Sequence, residues 1–341
     1  MHSGTATDRP IGTPKIADFS QQELDDLFDY HPIMEKEYVL PTPMMERCYA
    51  LIRERVWTRR TGLVLYGPPR VGKTRCSFAV KDLLMEEFPR CYVTRMSVRR
   101  ASYVSGAHIC RAILDAEDHV LAKRQTEDEL MRNVLTDIEV KLRAIGGKQY
   151  VLIIDEVQLL NNVDLQQLVC IHNALEERKI RMTTISFAQP EIQSARTALM
   201  ASRDRQIIAR FLSEMVCYGG CGTVEDLRAL LRCYDQSSEF PEGSGWSYTR
   251  FCVPIAFEHG FRLESYAQQF WLRLNNAGKS DVYDTLPMEH TCLSIEYLLI
   301  ALRLQDCSIL KVSKADLDAA ITRSELQNFL KEVDQGGERH T

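Results

Sequence analysis

The run "GLVLYGPPRVGKT", residues 62–74, constrains this chain more than any other stretch. It is a short apolar segment, then a loop with a glycine at each end, then a lysine and a hydroxyl. Gly67 to Thr74 has the eight-position spacing of a phosphate-binding loop, with a strand-like run before it and a helical one after it. Glycines let successive backbone N–H groups turn inward on phosphate oxygens, and the following helix points its positive end at them. The nucleotide-binding residues expected from this pattern are Gly67, Pro68, Pro69, Arg70, Val71, Gly72, Lys73, Thr74 and Arg75. Lys73 would neutralise β- and γ-phosphate charge, and Thr74 would ligate Mg²⁺. The implied ligand is ATP.

A second element, "YVLIIDEVQLL", is an apolar run that ends in Asp155 and Glu156. In a parallel sheet, an acidic pair at the carboxyl end of a buried strand lies beside the phosphate loop. Asp155 would hold Mg²⁺ through water, and Glu156 would polarise the attacking water. A later strand-like run, "MTTISFAQPEI", carries Gln189 at its tip as a candidate γ-phosphate sensor, with Ser186 and Thr184 as alternatives. Beyond it, "SRDRQIIARF" holds Arg203, Arg205 and Arg210. Arg205 or Arg210 is the candidate to reach a neighbouring subunit's nucleotide, since a planar guanidinium binds phosphoryl oxygens in bidentate fashion.

The surrounding pattern alternates. Strand-like runs at 62–66, 91–96, 150–155, 182–187 and 214–219 are separated by helical patterns at 73–87, about 107–122, 127–144, 163–179 and 190–201. Continuous apolar strands alternating with helices predict a five-stranded parallel sheet covered on both faces. After residue 222 the strand signal stops and helical patterns take over. The expected division is an N-terminal arm and short helix at 1–40, an α/β nucleotide-binding core at 41–222, and a helical lid and extension at 223–341. Thr42–Pro43 and Thr223–Asp226 read as helix starts.

Composition sets wider limits. With 45% hydrophobic and 26% charged residues, the chain is an ordinary globular one. No apolar run approaches the roughly 20 residues that span a bilayer, so no membrane is expected. The start, "MHSGTATDRPIGTPK", lacks an apolar signal core, which makes the cytoplasm the expected compartment. The eleven cysteines are scattered through apolar segments and suit free thiols. Cys217, Cys221 and Cys233 lack a suitably spaced fourth ligand, which argues against zinc.

Net charge is −5, yet residues 90–114 contain five arginines and no acid. Arg95, Arg99 and Arg100, with Ser102 and Tyr103, supply donors that can follow the phosphates of double-stranded DNA without reading bases. "RERVWTRR" (53–60) is the alternative surface.

A phosphate loop, an acidic strand end, a sensor strand, a downstream arginine and a helical C-terminal unit together resemble the AAA+ ATPases. Within that superfamily, "LYGPPRVGKT", "VLIIDEVQLL", "FAQPEI", "PEGSGWSYTRFCVPIAFEHGFRLE" and "SIEYLLIAL" look like the transposon-encoded regulators of the TnsC, TniB and MuB group, over residues from about 30 to 310. The resemblance implies a bacterial protein that assembles with itself as a ring or filament on DNA. It also implies recruitment of a transposase, partnership with a target-selection protein, and disassembly on hydrolysis. Two positions depart from the pattern. The sensor is a glutamine, and no arginine obviously leads a second sensor, leaving Arg262 as candidate.

Overall fold

The computed structural model describes residues 21–99, 105–119, 125–280 and 282–337. Five strands form one sheet: β1 (Leu63–Tyr66), β2 (Cys91–Ser97), β3 (Gln149–Asp155), β4 (Arg181–Ala188) and β5 (Glu214–Cys217). Their order is β2-β3-β4-β1-β5, and every pairing is parallel. β3 is buried along its whole length and β4 at all but its first residue, which explains their unbroken apolar character. The register pairs Tyr66 with Ala188 and Ser97 with Asp155, so the ends of β1, β3 and β4 form one edge. Segments leaving that edge carry the phosphate loop, the acidic pair and Gln189.

The helices follow from sequence patterns of the expected kind. In Lys73–Glu87 the buried positions are Lys73, Cys76, Ser77, Val80 and Leu84, one stripe at helical spacing. Glu127–Ala144 starts with a capping box from Thr126 to Glu129, and Asn162–Glu177 with one from Asn161 to Asp164. Thr42 caps the helix Pro43–Trp57 by accepting from the Met45 N–H, and Thr223 caps Val224–Arg232 with Asp226. Four short helices have no counterpart in the sequence reading: Pro32–Glu35, Arg205–Phe211, Tyr248–Cys252 and Pro254–Glu258. Each is seven residues or fewer, too little length for a periodic pattern to stand out in the sequence.

The chain forms two compact units. One comprises 42–222, 278–291 and 326–341; the other comprises 1–41, 223–277 and 292–325. Each unit is assembled from stretches that are not consecutive in the chain. The first unit holds the sheet, and its core runs from Val64 through β3 and β4 to the helices that flank them. The second unit is helical and includes the N-terminal segment: Leu24 packs with Trp246 and Phe251, flanked by Phe28 and Phe240. His31 lies among Phe240, Tyr248 and Phe251 at ring-centroid distances of 4.7, 4.8 and 4.9 Å. The tryptophan of "GSGW" is thus a buried core residue. Among the described residues no helix is long and apolar enough to cross a membrane. The eleven cysteines all lie within the described residues, and no disulfide joins them.

Candidate nucleotide site

The phosphate loop is shaped by two glycines for two different reasons. A Cβ on Gly67 would stand 2.0 Å from the Tyr218 carbonyl oxygen, so this glycine lets β1 run close beside the segment that follows β5. Gly72 has φ of +100°, a conformation that suits only glycine, and from it the chain enters the helix Lys73–Glu87. Arg70 between them is also left-handed, at φ 60°. The Lys73 side chain bends back into the loop, where Nζ donates to the carbonyls of Gly67 and Pro68 at 2.7 Å each. Burial pulls its pKa down, while the carboxylates of Glu156, Asp155 and Glu191 pull it up. An ammonium held this way, 6% exposed, has its donors aimed where phosphate oxygens would take over from the carbonyls.

Asp155 ends β3 and is buried. Its Oδ2 accepts from Arg95 Nη2 at 2.8 Å, while Oδ1 is buried with no hydrogen-bond partner. Burial raises its pKa; the Arg95 charge and the neighbouring Thr74 hydroxyl oppose that rise. An orphaned carboxylate oxygen beside a threonine hydroxyl fits Mg²⁺, which takes few protein oxygens and completes its shell with water and phosphate. Among the described residues no group of three or more His, Cys, Asp or Glu side chains is placed to hold a metal.

Glu156 follows in the left-handed region, φ 62° and ψ 41°, which costs of order 1–3 kcal/mol and turns its side chain away from the strand's alternation. Its Oε2 accepts from Gln158 Nε2 at 2.5 Å and from Gln189 Nε2 at 3.1 Å. Gln158 Oε1 in turn accepts from the Gln189 backbone N–H at 3.0 Å. The structure therefore brings together Lys73, Thr74, Asp155, Glu156 and Gln189. Ser186 and Thr184 are buried inside β4. Gln158 was not anticipated, although "DEVQ" places it two residues from Glu156.

The arginines separate by environment. Arg205 opens the helix Arg205–Phe211 and is exposed. Arg210 is held within its own chain: Nη2 donates to Asn173 Oδ1 at 3.0 Å and Nε to His172 Nδ1 at 3.4 Å. Arg262 donates to the carbonyls of Phe257 and Phe261 at 2.9 and 2.5 Å and lies over the Phe257 ring.

One DNA-contact assignment needs correction. Arg95 lies within β2, where its Nε donates to Ser77 Oγ at 2.7 Å and its guanidinium covers the Phe78 ring at 3.6 Å. With Asp155 as its ion partner, it faces the nucleotide site and not outward. Strand alternation is the reason: β2 continues to Ser97, which keeps Arg95 inside the sheet. Arg99 is exposed just beyond the strand, whereas Arg100, Ser102 and Tyr103 lie outside the described residues.

Residues far along the chain also reach the loop. Tyr283 donates its hydroxyl to the Pro69 carbonyl at 2.9 Å, and the Glu289 N–H donates to Arg70 O at 3.1 Å. Arg70 pairs with the Glu289 carboxylate and lies 5.1 Å from the centre of the Phe329 ring. Nothing local in "DVYDTLPMEH" signals these contacts.

Residues 56–195 match the sequence profile of the AAA domain family. No curated protein matches the chain. Among solved structures, the Aeropyrum pernix ORC2 protein in ADPNP–ADP complexes is 12% identical with a TM-score of 0.57, over 86% of this chain and 72% of that one. The Aeropyrum pernix ORC1 protein in complex with DNA is 12% identical with a TM-score of 0.46, over 83% and 64%. Cdc6p from Pyrobaculum aerophilum is 11% identical with a TM-score of 0.42, over 88% of each chain. At such identity the likeness concerns the fold. With its all-parallel sheet in the order 2-3-4-1-5, its phosphate loop after β1 and its helical C-terminal region, the chain has the α/β P-loop AAA+ fold.

Proposed function

We propose that this protein is a Mg²⁺-dependent ATPase that works as a nucleotide-controlled switch on double-stranded DNA. It would assemble with copies of itself and regulate transposition through a transposase and a target-selection protein. The observation that carries the ATPase reading is the convergence of Lys73, Asp155, Glu156 and Gln189 at one edge of the sheet. Lys73 exchanges its loop carbonyls for β- and γ-phosphate oxygens. Mg²⁺ would be held by the Thr74 hydroxyl and, through water, by Asp155, and it would neutralise phosphate charge. Glu156, held by Gln158 and Gln189, orients a water whose oxygen bonds to the γ-phosphorus as the bond to the ADP oxygen breaks. The water proton passes to Glu156 and then to the released phosphate.

Duplex binding rests on the basic segment without Arg95: Arg99, Arg100, Ser102 and Tyr103. The transposition branch rests on the sequence resemblance. Nucleotide at a subunit interface favours the assembly by mass action, and loss of the γ-phosphate releases it. A second reading, a replication-initiator type of AAA+ protein, is favoured by the fold likeness to the ORC2 protein, whose complexes contain ADPNP and ADP.

Glu156→Gln tests the first reading. ATP turnover should fall by two orders of magnitude or more while ATP-dependent assembly on DNA persists; an unchanged rate removes Glu156 from the reaction. Assemblies trapped by this variant then separate the two branches. Retention of a transposase supports transposition, and retention of a replicative helicase in its place supports the initiator reading.

A further inference from the structure

A cavity of about 530 Å³ opens at the amino-terminal end of the sheet, where β2 and β3 begin at Cys91 and Gln149 and the helix Pro43–Trp57 ends. Lys73, Asp155 and Glu156 lie at the opposite end of the same parallel strands. Three cations line the cavity, Arg59, Arg90 and Lys148. All three are exposed, and among the described residues none of them forms an ion pair. Its one lining carboxylate, Glu87, is already engaged, accepting from the Tyr49 hydroxyl at 2.7 Å and from Arg53 Nε. Beside the cations stands Trp57, 73% exposed and tilted against Phe88 at 6.4 Å between ring centres. The rim is built from backbone: a Cβ on Gly147 would stand 2.1 Å from the Arg90 carbonyl oxygen, so the segments bearing Arg90 and Lys148 are held at close quarters.

Three unpaired cations around a concavity attract an anion, and an open indole next to them offers a stacking face. Volumes of roughly 300–1,000 Å³ suit small ligands of nucleotide size. Paired bases in a duplex are stacked on one another and cannot turn a face to Trp57; an unpaired base can. We propose that this cavity binds a nucleotide with an unpaired base, its phosphate on Arg59, Arg90 and Lys148 and its base against Trp57. The nucleotide is supplied either as a free monophosphate or within a single strand. The site is separate from the phosphate loop and from the Arg99 segment, and it depends on neither hydrolysis nor duplex binding.

The test is anisotropy of a fluorescein-labelled single-stranded oligothymidylate with the full chain, without ATP, across a salt series. Arg59→Ala/Arg90→Ala should weaken binding at least tenfold. It should also make the slope of log affinity against log salt shallower by about 1.4, two contacts at roughly 0.7 each. Trp57→Ala should weaken binding about tenfold by loss of stacking. Arg59→Lys/Arg90→Lys should recover most of the slope, and unchanged melting temperatures show that the variants are folded. Thymidine monophosphate that displaces the oligonucleotide identifies the free nucleotide as a sufficient ligand, and failure to displace it identifies the strand. Wild-type affinity and slope in both alanine variants overturn the proposal. So does an equal loss on duplex and single strand with Trp57→Ala neutral, or equal displacement by polyglutamate.

Discussion

Arg95 and Asp155 form an ion pair whose side chains are 10% and 2% exposed, so neither charge can be removed without stranding the other. Breaking a buried pair from one side costs about 3–5 kcal/mol. Arg95→Ala also uncovers Phe78, so thermal unfolding should show a loss of that order. Because Mg²⁺ with ATP would offset the stranded Asp155 charge, adding both should raise the variant's melting temperature more than the wild type's. An equal rise in the two proteins would place the cation elsewhere. His31 gives a second case at this scale. Its Nδ1 accepts from the Ile33 N–H at 3.1 Å, which leaves the proton on Nε2, buried and without a partner among aromatic rings. Burial, with the Arg303 charge adding to it, lowers its pKa from 6.5 to about 3. The folded chain therefore binds fewer protons here than the unfolded chain, and stability falls as pH drops from 6.5 towards about 3. Between pH 6.5 and about pH 5 this group accounts for roughly 2 kcal/mol. His31→Asn keeps an acceptor for the Ile33 N–H but cannot titrate. Denaturant titrations should show its stability declining less over that interval by about that amount, and parallel decline would exclude His31 as the source.

At the scale of elements, β2 leads from the candidate nucleotide site to the proposed duplex-binding segment. Its end is tied to the acidic strand, since the Val98 N–H donates to the Asp155 carbonyl at 2.9 Å, and Arg99 is exposed one residue later. Whatever binds Arg99 therefore acts one residue from a segment bonded to Asp155, the proposed Mg²⁺ ligand. Arg99→Ala/Arg100→Ala should weaken binding to unrelated duplexes by similar factors. If each residue makes one phosphate contact, the salt slope should become shallower by about 1.8. Basal turnover without DNA should persist, because neither residue belongs to the loop or to the acidic pair. Unchanged affinity and slope on duplex DNA would make this segment an ordinary solvated face.

At the scale of the whole molecule, the proposed assembly with copies of itself needs an arginine free to act across an interface. Arg210 is held by Asn173 and His172, whereas Arg205 stands exposed at the start of its helix. Arg205 is therefore the better candidate to act across a subunit interface. Lys73→Ala alone should lose ATP-dependent assembly and DNA binding together. Mixed with Arg205→Ala subunits, it should recover part of the turnover, since some interfaces then pair an intact loop with an intact arginine. No recovery at any mixing ratio would assign Arg205 to its own subunit or to folding.

The sequence by itself determined what depends on neighbours in the chain. Five apolar runs became five parallel strands, because a strand covered on both faces must be apolar throughout. The helix Lys73–Glu87 begins and ends where its stripe and Gly72 require. The shared placement of Lys73, Asp155, Glu156 and Gln189 was legible because each stands at the carboxyl end of a strand or in the loop after it. Tertiary structure alone decided what depends on distance across the fold. Arg95 looked like one of a run of surface charges until β2 paired with β3 and turned it onto Asp155. Gln158 acquired a role only when β4 brought Gln189 beside it. Tyr283, Glu289 and Phe329 join the phosphate loop from more than two hundred residues away. No local periodicity encodes such contacts, because their partners are chosen by packing and not by spacing along the chain.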